Sequence, residues 1–287
     1  MQERLAEVAA GVAAHLDHVL APFGTGELAQ AMRYATEGGK RLRAYLVIEG
    51  ARLHGVPAEQ AIWPATAIEA LHAYSLVHDD MPCMDDDDLR RGRPTVHRKW
   101  DEATAVLVGD ALQSLAFECV ADPRVGSAEV RAELCLGLAR AAGGQGMVLG
   151  QALDIAAETA GTPLSLDEIT TLQAGKTGAL IIWSGIAGAV MAGADPAPLT
   201  RYAQAVGLAF QIADDILDVE GCAEETGKAV GKDAAAGKAT FVSHLGLAGA
   251  KSRASALIDE AIAALDIYGE DGDDLRALAR FVIARSS

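Results

Sequence analysis

Aromatic residues and alternating apolar–polar stretches are both scarce in this sequence, which leaves little basis for predicting β-strands. Only 5% of the 287 residues are aromatic, whereas 51% are hydrophobic. Alanine and leucine supply much of that fraction, and they favour helices that pack closely through small side chains. We therefore predict an all-α fold of roughly ten helices. We also predict a single domain that covers residues 1–287.

Positive charge is scarce too, because 24 lysines and arginines stand against 40 aspartates and glutamates, for a formal net charge of -16. Such an excess of negative charge repels phosphate backbones, which argues against nucleic acid as a partner. Cysteine is equally sparse. The four cysteines include no CxxC pair, so they indicate neither a zinc site nor a disulfide framework.

Long hydrophobic runs are missing as well. Residues 1–20 are amphipathic and carry charges among their apolar residues, unlike a signal peptide. The longest uncharged run, residues 179–194, is shorter than the roughly 20 residues that span a bilayer, so we predict a buried core helix there. Together with the cysteine pattern, these features predict a cytoplasmic protein without a membrane span.

The charge that is present is concentrated, first of all in the segment HDDMPCMDDDD, residues 78–88. Its six carboxylates repel one another unless cations lie among them. An acidic loop in solvent is the alternative interpretation. The preceding residues, 62–77, are nearly all apolar and predict a buried helix that delivers Asp79 and Asp80 to an enclosed place. That context favours a cation site.

A second acidic cluster, DDILD at residues 214–218, lies inside an apolar helix. Helical spacing places Asp214 and Asp218 one turn apart on one face, with Gln211 on the same stripe. Buried carboxylates destabilise a helix strongly unless they are paired or bound to metal. Oxygen-only ligands select hard cations such as Mg²⁺. A salt-bridged structural helix is the alternative.

Basic residues accompany both clusters. The segment GGKRLR, residues 38–43, places cations at a predicted helix start, where backbone amides and the helix dipole favour an anion. An ordinary exposed turn is the other interpretation. Arg90 and Arg91 follow the first cluster, and arginine forks match phosphate oxygens. Neutralisation of the neighbouring aspartates competes with that interpretation.

Two further basic segments lie in the second half of the chain. A capping box at residues 165–168 predicts the start of a long helix, in which Lys176 and Thr177 stand between glycines. Lys228 and Lys238 belong to a glycine-spaced segment after the second acidic cluster. A flexible core helix and a plain linker are the alternatives. Taken together, two carboxylate clusters, each followed by cations, predict metal-bridged binding of diphosphates.

With these motifs the sequence resembles the trans-prenyl diphosphate synthases, most closely the bacterial farnesyl diphosphate synthases. The segments that carry the resemblance are GGKRLR (38–43), HAYSLVHDDMPCMDDDDLRRGRPTVH (72–97), GDALQ (109–113), GQALD (150–154), KTGAL (176–180) and GLAFQIADDILD (207–218). One departure is Ala44, where the family commonly has proline after GGKRLR. The resemblance implies an isoprenoid-synthase-type helical bundle around a central cavity, with the two aspartate motifs facing each other across it, and a homodimer.

The resemblance also implies residue roles. Mg²⁺, more than one ion per site and replaceable by Mn²⁺, would be held by Asp79, Asp80, Asp85, Asp214, Asp215 and Asp218. The allylic diphosphate would be bound by Arg90, Lys176, Gln211, Lys228 and Lys238. Isopentenyl diphosphate would be bound by Gly39, Lys40, Arg43, His72 and Arg91. Thr177 would face the allylic cation, and catalysis would fall to Asp79, Asp85, Arg90, Lys176, Thr177 and Asp214.

Product length is indicated by the residues around the first aspartate motif. In the bacterial farnesyl group, two inserted residues, here Pro82 and Cys83, accompany an aromatic residue five positions before the motif, here Tyr74. This implies a fifteen-carbon product, although Ser75 lies closer to the face of Asp79. A twenty-carbon, geranylgeranyl product is the alternative.

Two other classes of protein stay open. A terpene cyclase would share the aspartate chemistry but lacks an isopentenyl site, and GGKRLR with Arg91 argues against it. A non-catalytic partner subunit, or an acidic binder of divalent cations, would be expected to have lost one aspartate motif, and both are intact here.

Overall fold

The computed structural model describes residues 1–158, 162–220 and 239–284. Helices cover nearly all of these residues, and the two strands among them have two residues each. The predicted all-α fold is confirmed. By internal contacts the chain divides into two compact units, Met1–Cys135 with Val190–Ala194 and Leu136–Ala189 with Asp195–Ser287. The single domain stays a prediction.

The first unit is built around one buried helix. Its elements are α1 (Gln2–Leu20), α2 (Glu27–Thr36), α3 (Leu42–Leu53), α4 (Ala58–Asp79), β1 (Leu89–Arg90), β2 (Arg93–Pro94), α5 (Val96–Lys99), α6 (Glu102–Ala121) and the first part of α7 (Ala128–Ala142). Helix α4 packs against α1, α2, α3 and α6. Its apolar residues from Ala61 to Val77 are largely buried. The buried helix predicted before the first acidic cluster is therefore present.

The second unit contains the other predicted helix start. After the rest of α7, its elements are α8 (Met147–Glu158), α9 (Leu166–Gln173), a π-helical turn (Ala174–Gly178), α10 (Ala179–Ala192) as far as Ala189, α11 (Ala197–Glu220), α12 (Phe241–Ala264) and α13 (Asp273–Ala284). The Ser165 amide donates to the Glu168 carboxylate at 2.8 Å, and the Glu168 amide donates to the Ser165 hydroxyl at 3.4 Å. The predicted capping box is thus formed at the start of α9.

Two helical stretches, Glu102–Ala121 and Leu166–Ala192, are apolar and long enough to cross a membrane when judged by length and composition alone. Core helices pass the same test. In α10, part of the second stretch, buried residues include Leu180, Trp183 and Ala187, which is the core position predicted for residues 179–194. The absence of a membrane span stays a prediction.

The contact between α1 and α4 contains a histidine whose protonation opposes folding. His15 Nδ1 lies 2.8 Å from the Thr66 hydroxyl, and its ring meets the Trp63 ring edge-on at 4.4 Å. Burial, together with the positive charges of His18 and Arg124, lowers the pKa of His15 from 6.5 to about 4. Folding therefore disfavours the charged form of this ring.

We expect the thermal midpoint to fall as pH falls from 6.5 to about 4, because in this window the unfolded chain binds a proton at His15 that the folded chain does not. His15→Gln removes the titrating group, so its Tm should depend less steeply on pH over this window. Melting curves followed by circular dichroism at several pH values measure the slope. His244→Gln, at an exposed position of α12, is the control, and an unchanged slope in His15→Gln would contradict the prediction.

Candidate active site

The first aspartate motif lies where α4 ends. Asp79 is the last residue of the helix, and the Asp85 amide donates to its carbonyl at 2.9 Å, which closes the acidic loop back on the helix. Asp80 is 4% exposed, whereas Asp85 is exposed. Burial raises the pKa of Asp80, although the neighbouring Arg90 guanidinium acts in the opposite direction. The motif thus contains one buried carboxylate and others that are exposed or half-exposed.

Arg90 pairs with that buried carboxylate. Its Nε donates to Asp80 Oδ1 at 2.9 Å, and its Nη2 donates to the same oxygen. Asp87 lies 3.8 Å from the same guanidinium. The sequence left open whether Arg90 neutralises the aspartates or binds phosphate, and the structure shows the neutralising contact. A guanidinium has five N–H donors, so a pair with one carboxylate oxygen leaves donors for an anion.

Strands β1 and β2 form a hairpin that carries Arg90, Arg91 and Arg93, and this hairpin is fixed to the end of α2. Arg93 forms an ion pair with Glu37 at 2.6 Å and lies 4.0 Å above the Tyr34 ring. The Tyr34 hydroxyl donates to the Pro94 carbonyl at 2.7 Å. The Thr95 hydroxyl, just after the hairpin, donates to the Asp87 carbonyl at 2.9 Å. These contacts hold both sides of the hairpin.

Arg91 lies over the backbone of Gly38 and Gly39, which we call the glycine loop. Its Nη1 donates to the Glu37 carbonyl at 3.0 Å, and a Cβ at Gly39 would stand 2.9 Å from its Nη2. Gly39 also has a φ of 86°, which a residue with a side chain rarely adopts. A glycine at position 39 is therefore needed for the guanidinium to approach the backbone. A pocket of about 50 Å³ opens beside Asp80, Arg90 and Arg91.

The three cations of GGKRLR have different environments. Lys40 is exposed, and Arg43 is half-buried. Arg41 is 6% exposed and its Nη1 lies 3.2 Å from Glu69 of α4, while Glu69 also accepts the Ala44 amide at 3.0 Å. Glu69 thus caps the start of α3 and neutralises Arg41. The GGKRLR segment therefore contains a buried ion pair, Arg41 with Glu69, in addition to two cations that suit an anion, Lys40 and Arg43.

His72 lies one turn after Glu69 on α4. Burial lowers the pKa of His72 well below its usual value, and the positive charges of nearby arginines add to the effect: Arg43, Arg91, Arg90 and Arg41. The imidazole is therefore neutral near pH 7, with one N–H to donate. A neutral hydrogen-bond donor surrounded by several positively charged guanidiniums favours the binding of an anion.

In the second unit, the glycines beside Lys176 permit a close contact between α8 and the π-helical turn. A Cβ at Gly150 would lie 2.1 Å from the Lys176 amide nitrogen. The contact brings Asp154 of α8 within 2.6 Å of Lys176 Nζ. The Gln211 amide, on α11, donates to the Gln173 side chain at 2.6 Å. The opened backbone expected at Lys176 and Thr177 is present as a π-helical turn, a form that is frequent at functional sites.

The second aspartate motif occupies the last turns of α11 that the structure describes. Asp214 is exposed, and Asp215 and Asp218 are half-exposed, whereas Ile212 and Ile216 between them are buried. Asp215 accepts the Phe241 amide at 2.7 Å and so holds the first turn of α12. The predicted cost of burying all three carboxylates does not arise, because none of them is buried.

The donor set suits a hard divalent cation, since the predicted ligands of both motifs are carboxylates. Within the part of the chain that the structure describes, no three histidine, cysteine or acidic side chains are gathered as a ready-made metal site. The six predicted metal ligands therefore stay a prediction. Lys228 and Lys238, predicted for the allylic diphosphate, lie outside the described residues.

Comparison with known proteins decides the family, because the Polyprenyl synthetase model matches residues 25–274. The chain belongs to this family. The farnesyl diphosphate synthase of Haemophilus influenzae is 46% identical to this polyprenyl synthetase over 271 residues, 91% of this chain and 89% of that protein. An apo crystal structure of an FPP/GFPP synthase from Zymomonas mobilis is 47% identical, with a TM-score of 0.89 and coverage of 98% of this chain and 100% of that chain.

A relative named geranylgeranyl pyrophosphate synthase is also similar to this chain. The chloroplastic geranylgeranyl pyrophosphate synthase of Capsicum annuum is 40% identical over 264 residues, 90% of this chain and 71% of that protein. The resemblance inferred from the sequence motifs is confirmed.

Sequence reasoning about this polyprenyl synthetase missed two acidic residues. Glu69 stands out as a charge within a buried apolar helix, and that pattern was a usable signal. Asp154 ends the GQALD segment, but nothing local to that segment pairs it with Lys176.

The two product-length candidates both lie on α4. Tyr74 is 8% exposed, and the Ser75 hydroxyl donates to the His72 carbonyl at 2.8 Å.

Proposed function

We propose that this polyprenyl synthetase is a farnesyl diphosphate synthase, which condenses isopentenyl diphosphate head to tail with dimethylallyl or geranyl diphosphate. The observation that carries the proposal is the group of arginines around neutral His72, beside an intact first aspartate motif. Relatives named farnesyl diphosphate synthase, 46% identical in one case, support the same conclusion. A terpene cyclase has no use for a second anion site, and an inactive subunit has no reason to keep both aspartate motifs.

Isopentenyl diphosphate is the ligand proposed for the glycine-loop side of the first unit. Arg91 is held by the Glu37 carbonyl above Gly39, so its position does not depend on the ligand. His72 can donate one hydrogen bond to a diphosphate oxygen without first binding a proton. Lys40 and Arg43 add positive charge at the start of α3, where the helix dipole also favours an anion.

The allylic diphosphate is the ligand proposed for Arg90, Lys176 and Gln211, with Lys228 and Lys238. Asp154 holds the Lys176 ammonium at 2.6 Å and so fixes where its charge is presented. Asp79, Asp85 and Asp214 would be the principal holders of Mg²⁺, supported by Asp80, Asp215 and Asp218. When bound, Mg²⁺ supplies positive charge that stabilises diphosphate as a leaving group.

The chain's own cations support the same bond cleavage. The allylic C–O bond breaks, diphosphate departs with the electron pair, and Arg90 and Lys176 offset the charge that develops on it. The isopentenyl double bond then forms the new C–C bond with the allylic cation. The proton lost from the isopentenyl unit is accepted by the released diphosphate, so no dedicated protein base is needed. Thr177 is proposed to face the cation.

The finer assignments belong to the same proposal. A cytoplasmic location and a homodimer are proposed from the family resemblance. Mn²⁺ is proposed as a substitute for Mg²⁺, because both prefer oxygen ligands. A geranylgeranyl synthase is the less favoured alternative, supported by the similarity to the Capsicum annuum enzyme.

One assay tests activity and product length together. The purified chain is incubated with geranyl diphosphate, labelled isopentenyl diphosphate and Mg²⁺, and the dephosphorylated alcohols are separated by chromatography. Farnesol as the main labelled product supports the proposal. Geranylgeraniol as the main product selects the alternative. A cyclic hydrocarbon without isopentenyl incorporation would overturn the prenyltransferase assignment.

Tyr74→Ala is expected to lengthen the product. The ring is bulky and 8% exposed, and its loss leaves a cavity, which in the proposed function lies at the end of the hydrocarbon pocket. We expect the ratio of twenty-carbon to fifteen-carbon product to rise by at least about tenfold, the discrimination that a pocket gains from one methylene. The same chromatographic assay measures the ratio, with Tyr268→Ala on the second unit as the control. An unchanged ratio would remove Tyr74 from the end of the hydrocarbon pocket.

A further inference from the structure

His78 occupies the contact between α4 and α6, immediately before the first aspartate motif. Its Nε2 lies 3.1 Å from the Val106 carbonyl oxygen. A carbonyl can only accept, so the ring carries its proton on Nε2 and donates it to α6. The histidine is therefore fixed by a partner on another helix rather than by the aspartates that follow it.

The same ring stands where α6 has no side chain. A Cβ at Gly109 would lie 2.0 Å from His78 Nε2 and 2.4 Å from its Cδ2, so any residue other than glycine would displace the imidazole. Glycine in the middle of a helix is destabilising. Gly109 lies in the buried middle of α6, so the imidazole of His78 provides the packing that the missing side chain would have supplied.

The imidazole also supports Tyr74, one turn earlier on α4. The two ring centroids are 5.1 Å apart and the ring planes meet at 82°, an edge-to-face contact that fixes the direction of both rings. Tyr74 is 8% exposed, and burial, with the negative charge of Asp110, raises its pKa. The tyrosine ring thus contacts the imidazole and lies within electrostatic range of Asp110 on α6.

We propose that His78 is a positioning residue for product length. The His78 ring is fixed by its hydrogen bond to the Val106 carbonyl and by its packing against Gly109, and it in turn holds the Tyr74 ring in place. The inference rests on the proposed function, in which Tyr74 closes the hydrocarbon pocket. Without the imidazole, a void opens beside the tyrosine ring, and packed side chains relax into such voids. The ring then moves away from the pocket, and a longer product fits.

The test compares product ratios rather than rates, because a residue that only stabilises the α4–α6 contact would lower yield without changing product length. His78→Ala is expected to raise the ratio of twenty-carbon to fifteen-carbon product by about tenfold, the effect of one methylene of added space. The double variant Tyr74→Ala/His78→Ala should match Tyr74→Ala alone to within about twofold, because the histidine acts through the tyrosine.

A milder variant and a matched control complete the design. His78→Gln keeps a donor for the Val106 carbonyl but lacks the aromatic edge, and it is expected to raise the ratio by about threefold even where His78→Ala fails to fold. His97→Ala removes a different histidine of the first unit, which is 7% exposed and whose ring contacts the Thr95 hydroxyl. It is expected to leave the ratio unchanged.

The outcomes separate this inference from the proposed function. A changed ratio in Tyr74→Ala with an unchanged ratio in both folded His78 variants would overturn the role of His78 alone. A double variant whose shift is the product of the two single shifts would also overturn it, because the residues would then act independently. Absence of any prenyl product from the unmodified chain would overturn the proposed function, and with it this inference.

Discussion

Asp79→Ala and Asp214→Ala are each expected to lower turnover by about 10²-fold to 10³-fold, the loss that follows removal of one group that stabilises developing charge. Each substitution removes a carboxylate that we propose to hold Mg²⁺. The measurement is steady-state incorporation of labelled isopentenyl diphosphate at saturating Mg²⁺. Asp86→Asn is the control, since Asp86 is an exposed residue of the same acidic loop with no assigned role, and asparagine tolerates its φ of 51°.

Stability should move differently from activity in Asp79→Ala. Asp79 is the last residue of α4, where the helix dipole disfavours negative charge, whereas the Arg90 guanidinium attracts it. These effects oppose each other, so its removal is expected to leave helix content unchanged and Tm close to that of the unmodified chain. A near-normal rate in either aspartate variant would contradict the metal assignment, and a collapse of helix content would show that the lost activity reflects unfolding instead.

Glu69→Ala is expected to destabilise the protein by about 3–5 kcal/mol, the cost typical of breaking a buried ion pair by removing one partner. The substitution leaves Arg41 charged and only 6% exposed, and it also removes the acceptor of the Ala44 amide at the start of α3. Urea unfolding followed by circular dichroism gives the free energy of unfolding.

Glu49 provides the matched control for this prediction. Its carboxylate is also fully buried, but its partners Arg4 and Arg52 are 37% and 38% exposed and regain water when the carboxylate is removed. Glu49→Ala should therefore cost less, about 1–3 kcal/mol. The double variant Glu69→Ala/Arg41→Met should recover part of the loss, because no buried charge remains. A smaller loss in Glu69→Ala than in Glu49→Ala would contradict the assignment of Glu69 as the more consequential residue.

What the sequence predicted well is what depends on local pattern. The capping box at Ser165 and Glu168, the buried apolar helix before Asp79 and the irregular backbone at Lys176 all follow from residues within a few positions of one another. Helix formation and capping are decided at that range, so periodicity and turn residues are sufficient to predict them.

What the sequence did not predict depends on pairs that are distant along the chain. Arg41 meets Glu69 across 28 residues, and Asp154 meets Lys176 across 22. Each pair is set by how two helices pack, which no local pattern encodes. Arg90 illustrates the same limit, because the choice between neutralising an aspartate and binding phosphate depends on the distance at which the acidic loop folds back.

One helix, α4, carries several of the residues to which we assign roles in the first unit. Along α4, Glu69 pairs with Arg41 beside the glycine loop, His72 is proposed to bind isopentenyl diphosphate, Tyr74 and His78 are proposed to govern chain length, and Asp79 ends the series. A helix is stiff and advances about 1.5 Å per residue, so the distances between these residues along the helix axis are fixed. A substitution that shifts α4 along its axis would change substrate affinity, product size and metal dependence together. Directed evolution that selects for one of these properties should therefore change the other two as well.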